Sequence, residues 1–173
     1  MSTPTVTVNL NRAPIATTIT DLVPDATIDA AIIAPGTQFN MGDWCSSPNN
    51  EYVLVLVSAS GDSSGDLVLY ELSGEPSSGS FKDRDYPITF QGLQLWDSKT
   101  GNISNTANYF QVQHNAGTNG TDTGNLVVYN SDKTPLWKSD TNNTQIAGLY
   151  LQDDGNLVLY KLDSCWNSDT KQS

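Results

Sequence analysis

The clearest pattern in the chain is an alternation of apolar and polar side chains between positions 149 and 160. Leucine stands at 149, 151, 157 and 159, and the alternate positions carry polar, phenolic or small side chains: Tyr150, Gln152, Asn156, Val158 and Tyr160. A period of two predicts two strands, each with one face toward a core. A three-residue loop at 153–155, with Gly155 left-handed, keeps Gln152 and Asn156 on one face, whereas a two-residue turn would separate them. We therefore predict a β-hairpin with a leucine face and a polar face.

The hairpin pattern occurs three times in the chain. The segment GNLVLY at 155–160 repeats as GNLVVY at 124–129 and as GDLVLY at 65–70. One tryptophan follows each copy at an equivalent place: Trp96, Trp137 and Trp166. Self-similarity of this kind governs the fold prediction before any single residue does. Short β-branched and aromatic runs, separated by turns rich in Gly, Ser, Asn and Asp, predict that the fold is all-β.

The polar face of the third copy has the chemistry of a sugar-binding surface. A pyranose presents adjacent hydroxyls, each able to donate and accept hydrogen bonds, above a patch of C–H bonds. The amides of Gln152 and Asn156 and the carboxylate of Asp154 can hold two or three hydroxyls at once. Val158 can cover the ring carbons, and the Tyr160 hydroxyl can reach another oxygen. These residue types favour carbohydrate binding over catalysis.

The same five residues match the motif Gln-x-Asp-x-Asn-x-Val-x-Tyr at every specified position. In this motif the chain resembles the monocot mannose-binding (bulb-type, snowdrop-like) lectins, and the resemblance covers roughly residues 36–170. It implies an all-β, β-prism II fold, with three four-stranded antiparallel sheets in pseudo-threefold symmetry and the three tryptophans on the axis. It also implies mannose binding without a metal. Asp154 and Asn156 would read the axial 2-hydroxyl, and Gln152 the 3-hydroxyl. Tyr160 would read the 4-hydroxyl, and Val158 would cover the ring carbons.

The second copy departs from the motif at the aspartate and carries an insertion at 116–124. Its candidate binding residues are Gln113, Asn115, Asn125, Val127 and Tyr129. A neutral amide makes a weaker hydrogen bond than a carboxylate, so replacing Asp by Asn115 weakens one contact. We expect a weaker carbohydrate site here, or one that the inserted loop reshapes for a larger glycan.

The first copy has lost most of the motif. Val57 stands where Gln is expected, Asp66 replaces Asn, and only Val68 and Tyr70 are retained, so we expect this copy to be structural. Residues 52–57 are apolar at odd and even positions alike, and these positions point to opposite faces of a strand. This predicts that both faces of the strand are buried. Either the N-terminal segment or a second subunit would cover the outer face.

The repeats divide the chain into two parts. We expect residues 1–35 to be an N-terminal segment, a strand or an oligomer contact rather than an independent domain. Residues 36–173 would form a bulb-type lectin domain with three degenerate repeats. Residues 26–34 are the only helix-like stretch and predict at most about two turns between Pro24 and Pro35. The Ser-, Gly- and Pro-rich segment 71–95, between Tyr70 and Trp96, predicts a solvent-exposed insertion.

Charge and targeting signals limit the partners. The net charge of −11 over 173 residues argues against nucleic acid and against anionic lipid surfaces. The N-terminal residues lack the basic start and apolar core of a signal peptide, and no run is long enough to span a membrane. We expect a protein without membrane insertion that is cytoplasmic, or released without a signal peptide.

The two cysteines, Cys45 and Cys165, each lie beside a tryptophan. The matching contexts predict that they lie close together. A possible disulfide would close a long loop and stabilise the fold by roughly 4–5 kcal/mol on a chain-entropy estimate. A cytosolic protein would instead keep both thiols reduced. Disulfide and buried thiols stay open as alternatives.

Catalytic and metal-binding chemistry is poorly represented. His114 is the only histidine, so neither a histidine metal cluster nor a triad can be completed without a second base; we expect it to be a solvated loop residue. Carboxylate pairs of the kind that glycosidases use fall in the segment predicted to be exposed: Asp83 with Asp85, and Glu71 with Glu75. The Asp- and Gly-rich runs at 61–66 and 119–125 are typical of tight turns rather than of calcium loops. We predict no enzyme, no metal and no cofactor.

Together these patterns predict a non-enzymatic lectin whose partners are mannose-containing glycans. A single shallow site binds weakly, at about millimolar concentration, so useful avidity needs several sites. With one intact site per chain, we expect a homo-oligomer such as a dimer. The alternative is a lectin-like defence protein, toxin or protein-interaction scaffold, in which sugar binding serves only for targeting or is vestigial.

Overall fold

The computed structural model describes residues 5–15, 18–20, 29–58, 65–80, 85–101, 107–113, 124–142, 146–160 and 164–171, with the side chains of 18–20, 58, 85, 164 and 165 left out. These residues form fourteen strands: β1 Thr5–Leu10, β2 Thr18–Thr20, β3 Ala30–Ile33, β4 Gln38–Asn40, β5 Trp44–Ser46, β6 Tyr52–Ser58, β7 Gly65–Ser80, β8 Asp85–Asp97, β9 Ala107–Val112, β10 Leu126–Asn130, β11 Pro135–Lys138, β12 Gly148–Gln152, β13 Leu157–Tyr160 and β14 Ser164–Asn167. None of the described residues forms a helix that could cross a membrane.

The strands form three antiparallel sheets, in the orders β1-β8-β7-β6-β5, β11-β10-β9-β4 and β14-β13-β12-β3-β2. Each sheet has a core of four antiparallel strands, which confirms the predicted all-β prism. β1 and β2 add a fifth strand to the first and third sheets, at the edges of β8 and β3. The consecutive short strands β3, β4 and β5 go to three different sheets, so residues 30–46 join the three sheets together.

The inner faces of the three sheets meet in the main core. Leu149, Leu151, Leu157 and Leu159 are all 0% exposed within it, as the hairpin parity predicts. The three tryptophans pack edge to face, with ring centroids 5.3, 5.5 and 5.7 Å apart and interplanar angles of 69–73°. This geometry is the one that aromatic quadrupoles favour, and it confirms the predicted tryptophan axis.

A second core lies on the outer face of the first sheet. Its buried members are Val8, Leu10, Trp44, Val53, Val55, Val68, Tyr70, Leu72, Ile88 and Phe90. The long hairpin β7–β8 extends beyond the sheet, and β1 pairs with β8 from Thr5 opposite Leu93 to Leu10 opposite Ile88. The chain after β1 then reaches β5, where Trp44 Nε1 donates to the Arg12 carbonyl at 2.6 Å. The N-terminal segment, one of the two candidates named above, therefore covers the outer face of the first sheet.

This arrangement corrects the prediction for 71–95 in part. Most of that segment belongs to β7 and β8, and Leu72 and Phe90 are only 8% and 3% exposed, while Ile88 is fully buried. Residues 73–75, 77 and 78 are exposed, as the sequence predicts. Sequence reasoning took the Ser, Gly and Pro content as a loop signal. The alternate apolar residues nevertheless have a surface to bury, because the first copy leaves its outer face apolar.

The helix-like stretch at 26–34 is also corrected. Residues 30–33 form β3, which pairs with β12 from Ile33 opposite Leu149 to Ala30 opposite Gln152; residues 26–28 lie outside the described part of the chain. Ala30, Ala31 and Ile33 are at most 1% exposed. Backbone pairing with a strand far along the chain therefore overrides the local helix propensity of alanine.

Cys45 is a free thiol with no exposed surface. Burial away from water disfavours the thiolate and raises the pKa of Cys45 to about 12, against the opposing effect of a hydrogen bond from the backbone of Leu54. The side chain of Cys165 lies outside the described residues, so the structure describes only one member of the predicted pair.

Candidate functional site

The third hairpin has the loop that the sequence predicts. Leu151 pairs with Leu157, and the backbone N–H of Gln152 donates to the backbone carbonyl of Asn156 at 3.0 Å. Residues 153–155 therefore form the loop. Gly155 has a φ of 79°, in the left-handed region, and its N–H donates to the Gln152 carbonyl at 3.0 Å. Gln152 and Asn156 therefore lie on the same face, opposite the leucines.

The polar groups of this face are close together. The Gln152 amide Nε2 lies 3.5 Å from the Tyr160 hydroxyl, to which it donates a long hydrogen bond. One Asp154 carboxylate oxygen accepts the Asn156 N–H at 3.1 Å, and the other lies 3.8 Å from Lys171 Nζ. Val158 is 1% exposed, so it forms the floor of the face and offers a ligand little direct contact. The five predicted residues thus lie together on one face. Gln152 is only 4% exposed, so Asp154, Asn156 and Tyr160 are the members that solvent reaches more.

An apolar rim flanks this surface, and sequence reasoning missed part of it. The Tyr150 ring packs edge to face against Tyr160, with centroids 5.1 Å apart, and a small cluster joins both rings to Ala30 and Ile32 of β3. Burial, and then the neighbouring Tyr160, raises the pKa of Tyr150, so its hydroxyl stays protonated. The alternation of residues along the strand places Tyr150 on the same face as Gln152, so its position could be predicted from the sequence. Ala30 and Ile32 gave no such signal, because their place depends on pairing across more than a hundred residues.

The loop of the third hairpin is anchored from the first sheet. The Asn49 backbone N–H donates to the Asp153 carboxylate at 2.8 Å, and the Asn49 amide donates to the Asp153 carbonyl at 3.0 Å. The Asp153 N–H donates in turn to the Asp29 carbonyl at 3.0 Å. Burial raises the pKa of Asp153; the hydrogen bond from Asn49 opposes this, and nearby carboxylates, including Glu51, add to it. The loop therefore has a fixed position relative to two sheets.

The second hairpin keeps part of the same arrangement. The Gln113 amide donates to the Tyr129 hydroxyl, and the Tyr129 ring stacks on Tyr109 at a centroid distance of 5.0 Å. Burial and then Tyr109 raise the pKa of Tyr129, against the effect of Gln113. Asn125 is only 4% exposed and Val127 only 2%. His114, Asn115 and the rest of the insertion up to residue 123 lie outside the described residues.

The described strands of the first hairpin, residues 52–57 and 65–70, offer no open face comparable to that of the third hairpin. Val68 is 2% exposed and Tyr70 is 8% exposed, and both belong to the second core. Burial, and then Asp66, raises the pKa of Tyr70. The burial of residues 52–56 on both faces agrees with the structural role expected of this copy.

Within the part of the chain that the structure describes, no group of three His, Cys, Asp or Glu side chains could hold a metal ion. Of the two carboxylate pairs considered for a glycosidase, Glu71 is half-buried and Glu75 is exposed, both on β7. Asp83 and the side chain of Asp85 lie outside the residues that the structure describes. The chemistry available at the two hairpin faces is therefore that of neutral hydrogen bonding, one carboxylate and phenol rings.

Comparison with solved structures finds similar chains. The chain is similar to the solved structure of the Japanese Marasmius oreades lectin, with 19% sequence identity and a TM-score of 0.47, over 79% of this chain and 87% of that chain. No family model and no curated protein matches the chain. The assignment of a ligand therefore rests on the residues of the hairpin faces.

Proposed function

We propose that the protein is a non-enzymatic lectin that binds mannose or mannose-rich glycans on the polar face of the third hairpin. The observation that carries this proposal is the shared surface of Gln152, Asp154, Asn156 and Tyr160, held in place by hydrogen bonds within the hairpin. Their side chains supply a carboxylate acceptor, two amides and a phenol within one hairpin, which is the set that adjacent sugar hydroxyls need.

The surroundings of these groups support a sugar rather than a charged ligand. The Asp154 carboxylate is only 13% exposed, so a hydroxyl that donates to it does so with little competition from water. Lys171 lies 3.8 Å away and offsets part of its charge. The Tyr150 and Tyr160 rings provide an apolar edge for C–H bonds. A neutral polyol fits this mixture of acceptors, donors and apolar surface.

The second hairpin would be a weaker glycan site. It retains the contact of Gln113 with Tyr129, but its Asn125 is nearly closed to solvent. Two unequal sites on one chain would bind a branched glycan with limited avidity. We therefore propose that the protein works as a homo-oligomer, in which several copies of the third hairpin act together.

The proposal is tested by calorimetric titration of the protein with α-methyl mannoside and with a branched oligomannose. The variant Asp154→Ala/Asn156→Ala should lose binding to both ligands. Asp66→Ala is the control for the asparagine, because it removes the side chain equivalent to Asn156 from the first copy, where Val68 and Tyr70 are buried. Loss of binding in the control, or absence of binding by the unaltered protein, would contradict the proposal.

A further inference from the structure

All three repeats share a hydroxyl pair that follows the tryptophan. The pairs, each separated by one residue, are Ser98 with Thr100, Ser139 with Thr141, and Ser168 with Thr170. The residue between the two hydroxyls has a positive φ in every repeat, at 56°, 58° and 59° for Lys99, Asp140 and Asp169. Such a backbone is uncommon outside glycine, and its threefold recurrence means that the geometry of the pair is maintained. We call each pair the Ser-x-Thr brace.

In the third repeat the brace holds the polar face from behind. The Leu157 N–H donates to Ser168 Oγ at 2.9 Å, and Ser168 Oγ lies 3.3 Å from the Asn156 amide oxygen, to which it donates. Thr170 Oγ1 donates its proton to the Gly155 carbonyl and lies 2.7 Å from Ser168 Oγ, so the single Ser168 proton is shared between Thr170 Oγ1 and the Asn156 amide oxygen. The brace thus contacts both the loop glycine and the asparagine of the motif.

The other two repeats establish which end of the asparagine side chain faces the brace. In the first repeat Ser98 Oγ lies 2.6 Å from a carboxylate oxygen of Asp66, which can only accept. In the second repeat the Thr141 backbone N–H, which can only donate, lies 3.3 Å from the Asn125 amide oxygen. The position next to the brace is therefore an acceptor position. An asparagine there has its oxygen inward and its two N–H donors on the other side.

Exposure separates the third repeat from the others. The braced Asn125 is 4% exposed, whereas Asn156 is half-buried. In the first repeat the braced residue is an aspartate, which has no donors to offer. Among the described braced residues, Asn156 is therefore the amide that is not closed to solvent.

We propose that Ser168 and Thr170 are positioning residues for glycan binding, which hold the Asn156 amide oxygen inward so that its N–H donors face a hydroxyl oxygen of the sugar. This inference rests on the proposed function. A sugar hydroxyl can donate or accept a hydrogen bond. When the Asn156 N–H donors have a fixed position beside the Asp154 acceptor, they favour one arrangement of adjacent hydroxyls. Without the brace the Asn156 amide can rotate and present either its oxygen or its nitrogen, and fixing it when the sugar binds costs binding free energy.

The first test compares Ser168→Ala with Ser98→Ala. The two variants lose equivalent hydrogen bonds. Each serine hydroxyl accepts from the backbone N–H of a leucine and donates to the side chain of the residue before that leucine, Asn156 or Asp66. Both should lower the melting temperature to a similar degree. Only Ser168→Ala should weaken the binding of α-methyl mannoside, by about fivefold, when titrated well below the melting temperature. Unchanged affinity in Ser168→Ala, or an equal loss in both variants, would overturn the proposal.

The second test needs no glycan. Relaxation of the ¹⁵N-labelled Asn156 side-chain amide should show an ordered group in the unaltered protein and in Ser98→Ala, and a mobile one in Ser168→Ala. If the unaltered protein binds no mannoside, the proposed function fails, yet this measurement still decides on the brace. An Asn156 amide that is equally ordered in all three proteins would refute the positioning role.

Discussion

Substitution of Gly155 by alanine should destabilise the protein for two separable reasons. The φ of 79° at Gly155 lies in the left-handed region, where a Cβ atom costs about 1–2 kcal/mol. The added Cβ would also lie 2.5 Å from Tyr52 Cε1 and 2.9 Å from two further ring atoms. The Tyr52 ring is 5% exposed and packed in the main core, so it cannot turn aside. Overpacking of this kind costs about 1–3 kcal/mol more.

Gly74 provides the matched control. Its φ of 65° is also left-handed, but an added Cβ would meet nothing within 4 Å. Gly74→Ala should therefore show the conformational cost alone, and Gly155→Ala should exceed it by about 2 kcal/mol. In a chain of 173 residues this difference corresponds to about 4–8 °C in melting temperature. Differential scanning calorimetry and urea unfolding of the two variants measure it.

Equal destabilisation by the two alanines would refute the reasoning, since it would mean that the contact between Gly155 and Tyr52 does not constrain the loop. A further variant, Gly155→Ala with Tyr52→Leu, checks the cause. If the ring is the obstacle, adding Gly155→Ala to Tyr52→Leu should cost less than adding it to the unaltered protein. Additive effects of the two substitutions would show that the strain lies elsewhere.

Two further predictions concern single titratable groups. In a Cys165→Ser background, Cys45 should react with a maleimide only as fast as the protein unfolds, because a pKa of about 12 leaves about one thiolate in 10⁵ at pH 7; rapid labelling of the folded protein would contradict its burial. The raised pKa of Asp153 means that the folded state binds its proton more readily than the unfolded state, so this group lowers stability as pH rises above about 3.9. Asp153→Asn should therefore have the higher melting temperature at pH 7, with a difference that shrinks toward pH 4; a difference independent of pH would contradict this assignment.

The parts of the site that are local in sequence could be predicted. The alternation around Gln152 and Asn156 follows from the period of a strand, and the left-handed Gly155 follows from the loop length that keeps both on one face. The recurrence of Ser168 and Thr170 in the other repeats is visible in the sequence as well. Its meaning is not, because a hydroxyl after a tryptophan does not reveal which carbonyl or amide it will meet.

Other features depended on contacts between distant segments. Ala30 belongs to a strand although its neighbours have helix propensity, because β12 supplies its backbone hydrogen bonds. The extension after Tyr70 forms strands that, together with β1, cover the apolar outer face left by the first copy. Neither outcome is encoded in a local period.

The sequence by itself determined the all-β class, the three repeats and the polar face of the third hairpin, since these follow from alternation and from recurrence along the chain. The tryptophan axis was implied by the family resemblance that the motif carries. Only the tertiary structure decided how β3, β4 and β5 are shared among the sheets, how the first copy is closed, and which side chains brace Asn156. The physical reason is that the alternation of apolar residues shows which face of a strand is buried, but not which distant segment pairs with that strand or covers that face.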